Sequence, residues 1–220
     1  MPLPLPCLML VTDRSLCGGV DGLVAAVEAA VRGGADAVQL REKNLASQDL
    51  LPLARRLRQA SLGRALMLVN GSLDVALAAD ADGVHLPESA PPVQRLRKAV
   101  PAGRQGFLVG RSVHSLEAGR HAEEEGADYL VAGPVYETRS HPGRQPAGPS
   151  LIEAISRSVR VPVLAIGGVS AGRVEEVVRA GASGIAVISA VLAQPDRRAA
   201  AGDLRRALDI AWAAVGAARP

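Results

Sequence analysis

The segment RGGADAVQL, Arg32–Leu40, is one of four copies of a joint that decides the fold. The other copies are AADADGVHL (78–86), EEGADYLVAG (124–133) and RAGASGIAV (179–187). In each copy an amphipathic stretch ends at glycine or at Ala-Asp, and a short aliphatic run follows. Glycine at such a position is typical of the left-handed cap that ends a helix. The repetition therefore predicts a βα unit that recurs along the chain.

Outside these joints the chain keeps alternating between short aliphatic runs and longer amphipathic stretches. The runs are almost entirely apolar, as expected of parallel strands that are buried on both faces. They predict eight strands, at 8–12, 37–41, 66–70, 83–86, 107–112, 129–133, 162–167 and 184–189. The amphipathic stretches predict eight helices, at about 20–33, 47–61, 72–79, 91–99, 115–125, 150–159, 170–180 and 197–215.

This order of elements predicts a single (β/α)8 TIM barrel, an α/β fold, over residues 1–220. An open doubly wound sheet is the alternative. No G-x-G-x-x-G motif follows the first strand, so the sequence does not indicate a dinucleotide-binding fold.

Composition limits the classes of function that the chain can have. Hydrophobic residues make up 48% of the chain and aromatic residues only 2%, which predicts an aliphatic core. The net charge is +3, but basic and acidic residues are interleaved, and no Lys/Arg run could follow a nucleic-acid backbone. We therefore expect no nucleic-acid partner, whereas a small anionic substrate is compatible with the charge.

Two further expectations concern the environment of the protein. No apolar run reaches the 18 or so residues of a membrane span, so no membrane partner is expected. Cys7 and Cys17 are interpreted as unpaired thiols in a reducing compartment. These features predict a cytoplasmic protein, and a homo-oligomer is compatible with them.

The end of the second predicted strand carries polar side chains where a barrel places its active site. Gln39, Arg41 and Lys43 point to one side of an extended segment because side chains alternate along it. Lys43 is one of only two lysines in the chain. An amide and two cations at the barrel mouth indicate an anionic or polar substrate. Alternatively, Arg41 pairs with an acid such as Asp13 or Glu137.

Glycines and a serine follow the last two predicted strands, in AIGGV (165–169) and VISA (187–190). Barrels often bind phosphate at these two loops, where backbone N–H groups and helix N-termini approach the anion. Gly167, Gly168, Ile188 and Ser189 are the predicted phosphate-binding residues. The alternative is that the glycines only serve tight turns.

Histidines are the first candidates for proton transfer because they titrate near neutral pH. His114 follows the fifth predicted strand, and His141 lies in the irregular segment 137–149, which is a candidate mobile lid. His85 lies inside the fourth predicted strand, where it is either a core histidine or part of the site.

The motifs taken together resemble the thiamine phosphate synthase and TenI superfamily over about residues 8–190. The resemblance is carried, in order and at matching spacing, by VQLREK (38–43), NGSLDVALAADADGVHLP (70–87), VGRSVHSLEA (109–118), EEGADYLVAGPVYET (124–138), VPVLAIGGV (161–169) and GIAVISAV (184–191). It implies a (β/α)8 barrel that handles a thiazole phosphate of thiamine biosynthesis. The cradle for that phosphate matches Gly167, Gly168, Ile188 and Ser189.

One branch of the superfamily, the thiamine phosphate synthases, joins a pyrimidine methyl diphosphate to the thiazole phosphate with the help of Mg²⁺. Its substrate contacts match Gln39, Arg41, Lys43, Asn70 and Ser112. Its two magnesium-binding aspartates are replaced in this sequence by Gly71 and Ala90. The T-x-T-K pattern of its strand-six loop corresponds here to TRSH (138–141).

The other branch, the TenI proteins, resembles this chain in its Asn-Gly after strand three, its Leu-Pro after strand four and its GRSVHSLEEA segment. On this resemblance we predict a thiazole tautomerase, an isomerase that needs no cofactor and no metal. The expected catalytic residues are His114, His141, Lys43 and Glu137, and the expected substrate-binding residues are Gln39, Arg41, Asn70, Ser112 and Thr138. Pro134 stands where the tautomerases have a histidine.

Two alternatives stay open at this point. One is a thiamine phosphate synthase that couples hydroxymethylpyrimidine diphosphate to thiazole phosphate with Mg²⁺. The other is a non-catalytic regulatory protein that binds thiazole phosphate.

Overall fold

Eight parallel strands form a closed barrel in which each strand pairs with the next and β8 pairs with β1. The structure is a computed structural model that describes residues 2–138, 143 and 145–217. The strands are β1 Cys7–Val11, β2 Ala37–Leu40, β3 Leu66–Asn70, β4 Gly83–Leu86, β5 Leu108–Val113, β6 Tyr129–Ala132, β7 Val163–Ile166 and β8 Gly184–Val187. The predicted (β/α)8 barrel is confirmed.

Helices follow the strands and cover the outside of the barrel. They are α1 Val20–Arg32, α2 Ser47–Ser61, α3 Leu73–Ala78, α4 Val93–Ala99, α5 Leu116–Glu124, α6 Pro149–Ser156, α7 Val174–Arg179, α8 Ser189–Leu192 and α9 Arg197–Ala217. Short 3-10 turns lie at Arg14–Leu16 and Ala171–Arg173.

The predicted boundaries need two corrections near the C-terminus. Strand β8 ends at Val187, and the short helix α8 begins at Ser189, where the sequence had predicted strand. The predicted helix 170–180 begins as a 3-10 turn and becomes α-helical only at Val174. Both differences lie at the barrel mouth, where the chain turns sharply from strand to helix.

Two apolar clusters fill the molecule. The larger cluster lies between the outer face of the barrel and the helices and consists mostly of Leu, Val, Ile and Ala. The smaller cluster fills the inside of the barrel with side chains such as Met9, Leu68, Leu108 and Leu164, all of them buried. Because side chains alternate along each strand, the inward positions nearest the C-terminal strand ends form the floor of any site there.

The repeated Ala-Asp joint has a structural role at the other end of the barrel. Asp36, Asp82 and Asp128 are the residues immediately before β2, β4 and β6. Each carboxylate accepts a hydrogen bond from a backbone N–H in the preceding strand, at 2.6–2.7 Å. Each also pairs with an arginine, namely Arg205, Arg58 and Arg97. In the fourth copy of the joint, Ser183 takes the place of the aspartate.

The remaining global expectations concern membrane helices and thiols. None of the helices in the described part of the chain is long and apolar enough to cross a membrane. Cys7 and Cys17 are free thiols, as expected, and Cys7 is buried inside the barrel.

Candidate active site

A cavity of about 330 Å³ opens at the C-terminal ends of the strands. All but two of the residues predicted from the sequence to form the site line it. They are Gln39, Arg41, Lys43, Asn70, Ser112, His114, Thr138, Gly167, Gly168, Ile188 and Ser189. The two exceptions are Glu137, which is exposed and does not line the cavity, and His141, which lies outside the described residues.

Arg41 lies partly buried at the end of β2 and faces the cavity. Its backbone N–H donates to Thr12 Oγ1 at 2.9 Å, which fixes the strand end. Burial lowers the pKa of its guanidinium, and the nearby carboxylates of Asp13 and Glu42 partly offset this effect. Among the described residues no carboxylate lies within 4.0 Å of the guanidinium, so the alternative of an Arg41 ion pair finds no support there.

Glu42 points away from the cavity, as the alternation of side chains requires. Its carboxylate accepts hydrogen bonds from the backbone N–H and the guanidinium of Arg14, at 3.1–3.2 Å. This leaves Arg41 and the exposed Lys43 as neighbouring cations on the cavity side. The end of β2 therefore presents two positive charges to an anionic ligand.

Two amide side chains form a pair on the neighbouring strands β2 and β3. Gln39 Nε2 donates to Asn70 Oδ1 at 3.1 Å, and Gln39 is almost fully buried. Both residues line the cavity, and the bond uses neither the Gln39 carbonyl oxygen nor the Asn70 amide nitrogen. An acceptor beside a donor is the arrangement that recognises a ring nitrogen next to an amino group on a heteroaromatic ring.

His85 lies on the cavity floor and is fully buried. Its Nδ1 lies 3.1 Å from the Tyr129 hydroxyl, and its Nε2 lies 2.8 Å from Ser112 Oγ. Burial, reinforced by the positive charges of Arg41 and Arg111, lowers the pKa of His85 to about 3. The sequence left His85 as either a core histidine or a site residue. It is both, because it is hydrogen-bonded in the core and also lines the cavity. A polar residue at an inward position of β4 was the sequence signal for this role.

His114 follows β5 and is held in a fixed orientation. Its Nδ1 donates to the carbonyl oxygen of Gly133, and its Nε2 lies 3.9 Å from a carboxylate oxygen of Glu88. Glu88 is the one acid among the described residues that line the cavity. Arg111 shapes the loop that carries Glu88 by donating to the carbonyl oxygens of Glu88, Ala90 and Pro91.

Gly167 and Gly168 form the loop after β7 in conformations that favour glycine. Their φ angles are +99° and +64°. A Cβ on Gly167 would lie 2.7 Å from Pro134 Cβ, and one on Gly168 would lie 2.5 Å from the carbonyl oxygen of Glu137. The glycines thus serve a tight turn against the strand-six loop and also line the cavity, and their phosphate-binding role stays a prediction.

The described residues do not fit the magnesium centre that the resemblance implies for the synthase branch. Gly71 and Ala90 stand in place of the two carboxylates. Within the described part of the chain, no group of three or more His, Cys, Asp or Glu side chains could hold a metal ion. Arg41 and Lys43 are the Arg and Lys side chains among the described residues that line the cavity.

Comparisons with known proteins decide the family. The family profile described as thiamine monophosphate synthase matches residues 8–191. The chain belongs to this family. A thiamine-phosphate synthase from Methanoculleus marisnigri is 44% identical over 90% of this chain and 93% of that protein. One from Methanocella arvoryzae is 40% identical over 90% of this chain and 92% of that protein.

A solved structure agrees with this assignment. The thiamine phosphate pyrophosphorylase from Pyrococcus furiosus is 38% identical and superimposes with a TM-score of 0.83. The match covers 93% of this chain and 96% of that one. The superfamily predicted from the motifs is confirmed by these matches.

The prediction of a thiazole tautomerase is wrong. Proteins that are about 40% identical to this one over nearly its whole length are named thiamine-phosphate synthases. The Asn-Gly and Leu-Pro signatures and the loss of two carboxylates had favoured the TenI branch. The loss shows which metal ligands the loops lack, but it does not show which reaction the barrel performs. The enzyme class expected for the family is therefore a transferase and not an isomerase.

Proposed function

We propose that the protein is a thiamine-phosphate synthase that joins a pyrimidine methyl diphosphate to a thiazole phosphate. The observation that carries the proposal is a cavity with a cationic, amide-lined side and a glycine-lined side, in a chain about 40% identical to proteins of that name. In the reaction the thiazole nitrogen supplies the electron pair of a new C–N bond. The C–O bond to the diphosphate breaks, and the diphosphate leaves with those electrons.

The β2–β5 side of the cavity suits the pyrimidine diphosphate. The Gln39–Asn70 pair offers an acceptor and a donor to the pyrimidine ring and its amino group. Arg41 and Lys43 offset the negative charge that grows on the leaving diphosphate, which is the interaction that lowers the barrier. Ser112 Oγ adds a hydroxyl to the same side.

The β7–β8 side suits the thiazole phosphate. Gly167, Gly168, Ile188 and Ser189 bring backbone to the cavity wall, and glycine allows an anion to approach it closely. Binding the two substrates on separate sides places the nucleophile next to the carbon it attacks. Such positioning is a large part of the catalysis of a two-substrate reaction.

The test is formation of thiamine phosphate and pyrophosphate from both substrates, measured with MgCl₂ and separately with EDTA. We expect product with the wild-type protein, and a loss of about 100-fold in kcat/KM for Arg41→Ala, because a charge that acts in the transition state is removed. Arg55→Ala is the matched control, since Arg55 is exposed on α2. If the folded wild-type protein forms no product under either condition, the proposal is wrong.

A further inference from the structure

Three side chains from three strands form a continuous hydrogen-bonded chain inside the barrel. Tyr129 on β6 reaches His85 on β4, and His85 reaches Ser112 on β5, at 3.1 and 2.8 Å. Ser112 lines the cavity, whereas Tyr129 is fully buried. The chain therefore connects the apolar interior to the ligand site.

Gly110 makes this chain possible. It lies between the two strands that carry His85 and Tyr129, in register with both residues. A Cβ at position 110 would lie 2.1 Å from Tyr129 Cζ. The absence of a side chain lets the phenol ring cross β5 and place its hydroxyl beside the imidazole.

The protonation of the chain follows from burial. The pKa of His85 falls to about 3, so the ring is neutral near pH 7 and carries one N–H. Burial raises the pKa of Tyr129 well above its ordinary value, so the phenol keeps its proton. Two arrangements of these protons are then conceivable.

In the first arrangement Nδ1–H donates to the phenol oxygen and Nε2 accepts the proton of Ser112. The phenol O–H must then find another acceptor, but within residues 2–138, 143 and 145–217 His85 is the partner of that hydroxyl and no second one is present. A buried donor without a partner costs about 1–3 kcal/mol. In the second arrangement the phenol O–H donates to Nδ1 and Nε2–H donates to Ser112 Oγ, so both buried protons are used and only the Ser112 hydroxyl proton, at the cavity, is left without an acceptor.

We infer that Tyr129 and His85 are positioning residues that turn the Ser112 hydroxyl into an obligatory hydrogen-bond donor toward the cavity. Because Nε2–H occupies a lone pair of Ser112 Oγ, the hydroxyl proton is left for the ligand. It meets an acceptor such as a diphosphate oxygen. In the opposite tautomer Ser112 would present only lone pairs and would repel that oxygen. The diphosphate as ligand rests on the proposed function, whereas the polarity of Ser112 rests on the geometry.

The tautomer is tested on the wild-type protein by long-range ¹H–¹⁵N correlation spectra of the histidine rings at pH 7. The signals of His85 are assigned by exclusion, as the set that stays when His114, His121 and His141 are each replaced by glutamine. We expect its proton on Nε2, in contrast to His114, whose Nδ1 donates to a carbonyl. A proton on Nδ1 of His85 overturns the inference, and this reading needs no stable core variant.

The effect on the ligand is tested by calorimetric titration with inorganic pyrophosphate. We expect Ser112→Ala to weaken binding about tenfold and Tyr129→Phe about threefold to tenfold, because the hydroxyl is lost or no longer held as a donor. In the Ser112→Ala background, Tyr129→Phe should change the affinity less than twofold. Tyr136→Phe is the matched control, since its hydroxyl bonds Glu176 away from the cavity.

A loss for Tyr129→Phe that is equally large in both backgrounds would mean a merely structural role and would overturn the inference. An unchanged affinity of Tyr129→Phe, or a lack of pyrophosphate binding by the wild type, would do the same. Neither measurement uses turnover. A protein that makes no thiamine phosphate but shows the Nε2 tautomer and the Ser112-dependent coupling would contradict the proposed function and leave this inference standing.

Discussion

His85 illustrates how a buried titratable side chain ties the stability of the protein to pH. Its pKa lies near 3 in the folded protein because burial disfavours the imidazolium, whereas an unfolded chain gives a pKa of about 6.5. The unfolded state therefore binds more protons than the folded state between these two values. The contribution of neutral His85 to the free energy of unfolding is fully present above pH 6.5 and is lost as the pH falls toward 3.

We predict that His85→Gln makes the free energy of unfolding less sensitive to acid. Between pH 6.5 and 4 the wild type should lose at most about 1.4 kcal/mol per pH unit more than the variant. Urea denaturation at a series of pH values measures the difference. His121→Gln is the control, because His121 is exposed on α5. Parallel pH profiles for the wild type and His85→Gln would contradict the prediction.

The side chains of the site differ in how far the sequence alone could place them. Alternation along an extended segment was enough to put Gln39 and Arg41 on the cavity side. The partners of His85 were not accessible in the same way. Ser112 and Tyr129 follow it by 27 and 44 residues, and their contact depends on the space that Gly110 leaves across β5. Such contacts depend on barrel register, which local pattern does not specify.

The helices and strands were predictable from the sequence because the same βα pattern recurs along the chain. The Ala-Asp joint recurs because its carboxylate accepts from the preceding strand and pairs with an arginine on a covering helix. Helix α8 was missed since Ser189–Leu192 is apolar like the strand before it. In four residues no helical period can be distinguished from a strand.

We predict that Asp82→Ala destabilises the protein by about 1–3 kcal/mol without changing ligand affinity. The variant leaves the N–H of Met67 and the guanidinium of Arg58 without their carboxylate, and both lie at the end of the barrel away from the cavity. Asp21→Ala should cost less than about 0.5 kcal/mol, because its ion pair with Arg56 is exposed. Urea denaturation and pyrophosphate titration measure the two effects. Equal destabilisation by Asp82→Ala and Asp21→Ala, or weaker pyrophosphate binding by Asp82→Ala, would contradict the prediction.

The two ends of the closed barrel have different roles, since one end holds the strands together and the other carries the cavity. The aspartate–arginine joints hold neighbouring strands together at the N-terminal end. The cavity at the other end draws its lining from loops that are distant in sequence, with cations after β2 and glycines after β7. Loops that do not hold the strands together can change without loss of the fold. This accounts for a chain that keeps the family barrel while Gly71 and Ala90 replace two carboxylates.

If the two sides of the cavity are separate anion sites, ligands should stabilise the barrel independently. A ligand at 100 times its Kd adds about 2.7 kcal/mol, which raises the Tm of a protein of this size by about 5–10 °C. We predict that Lys43→Ala loses most of the Tm increase caused by pyrophosphate and keeps the increase caused by thiazole phosphate, because only the former needs the cations after β2. Differential scanning fluorimetry measures both. Lys98→Ala, which removes the other lysine from the exposed face of α4, should keep both increases. Equal losses for the two ligands in Lys43→Ala would show that they share one site and would remove the basis for binding two substrates side by side.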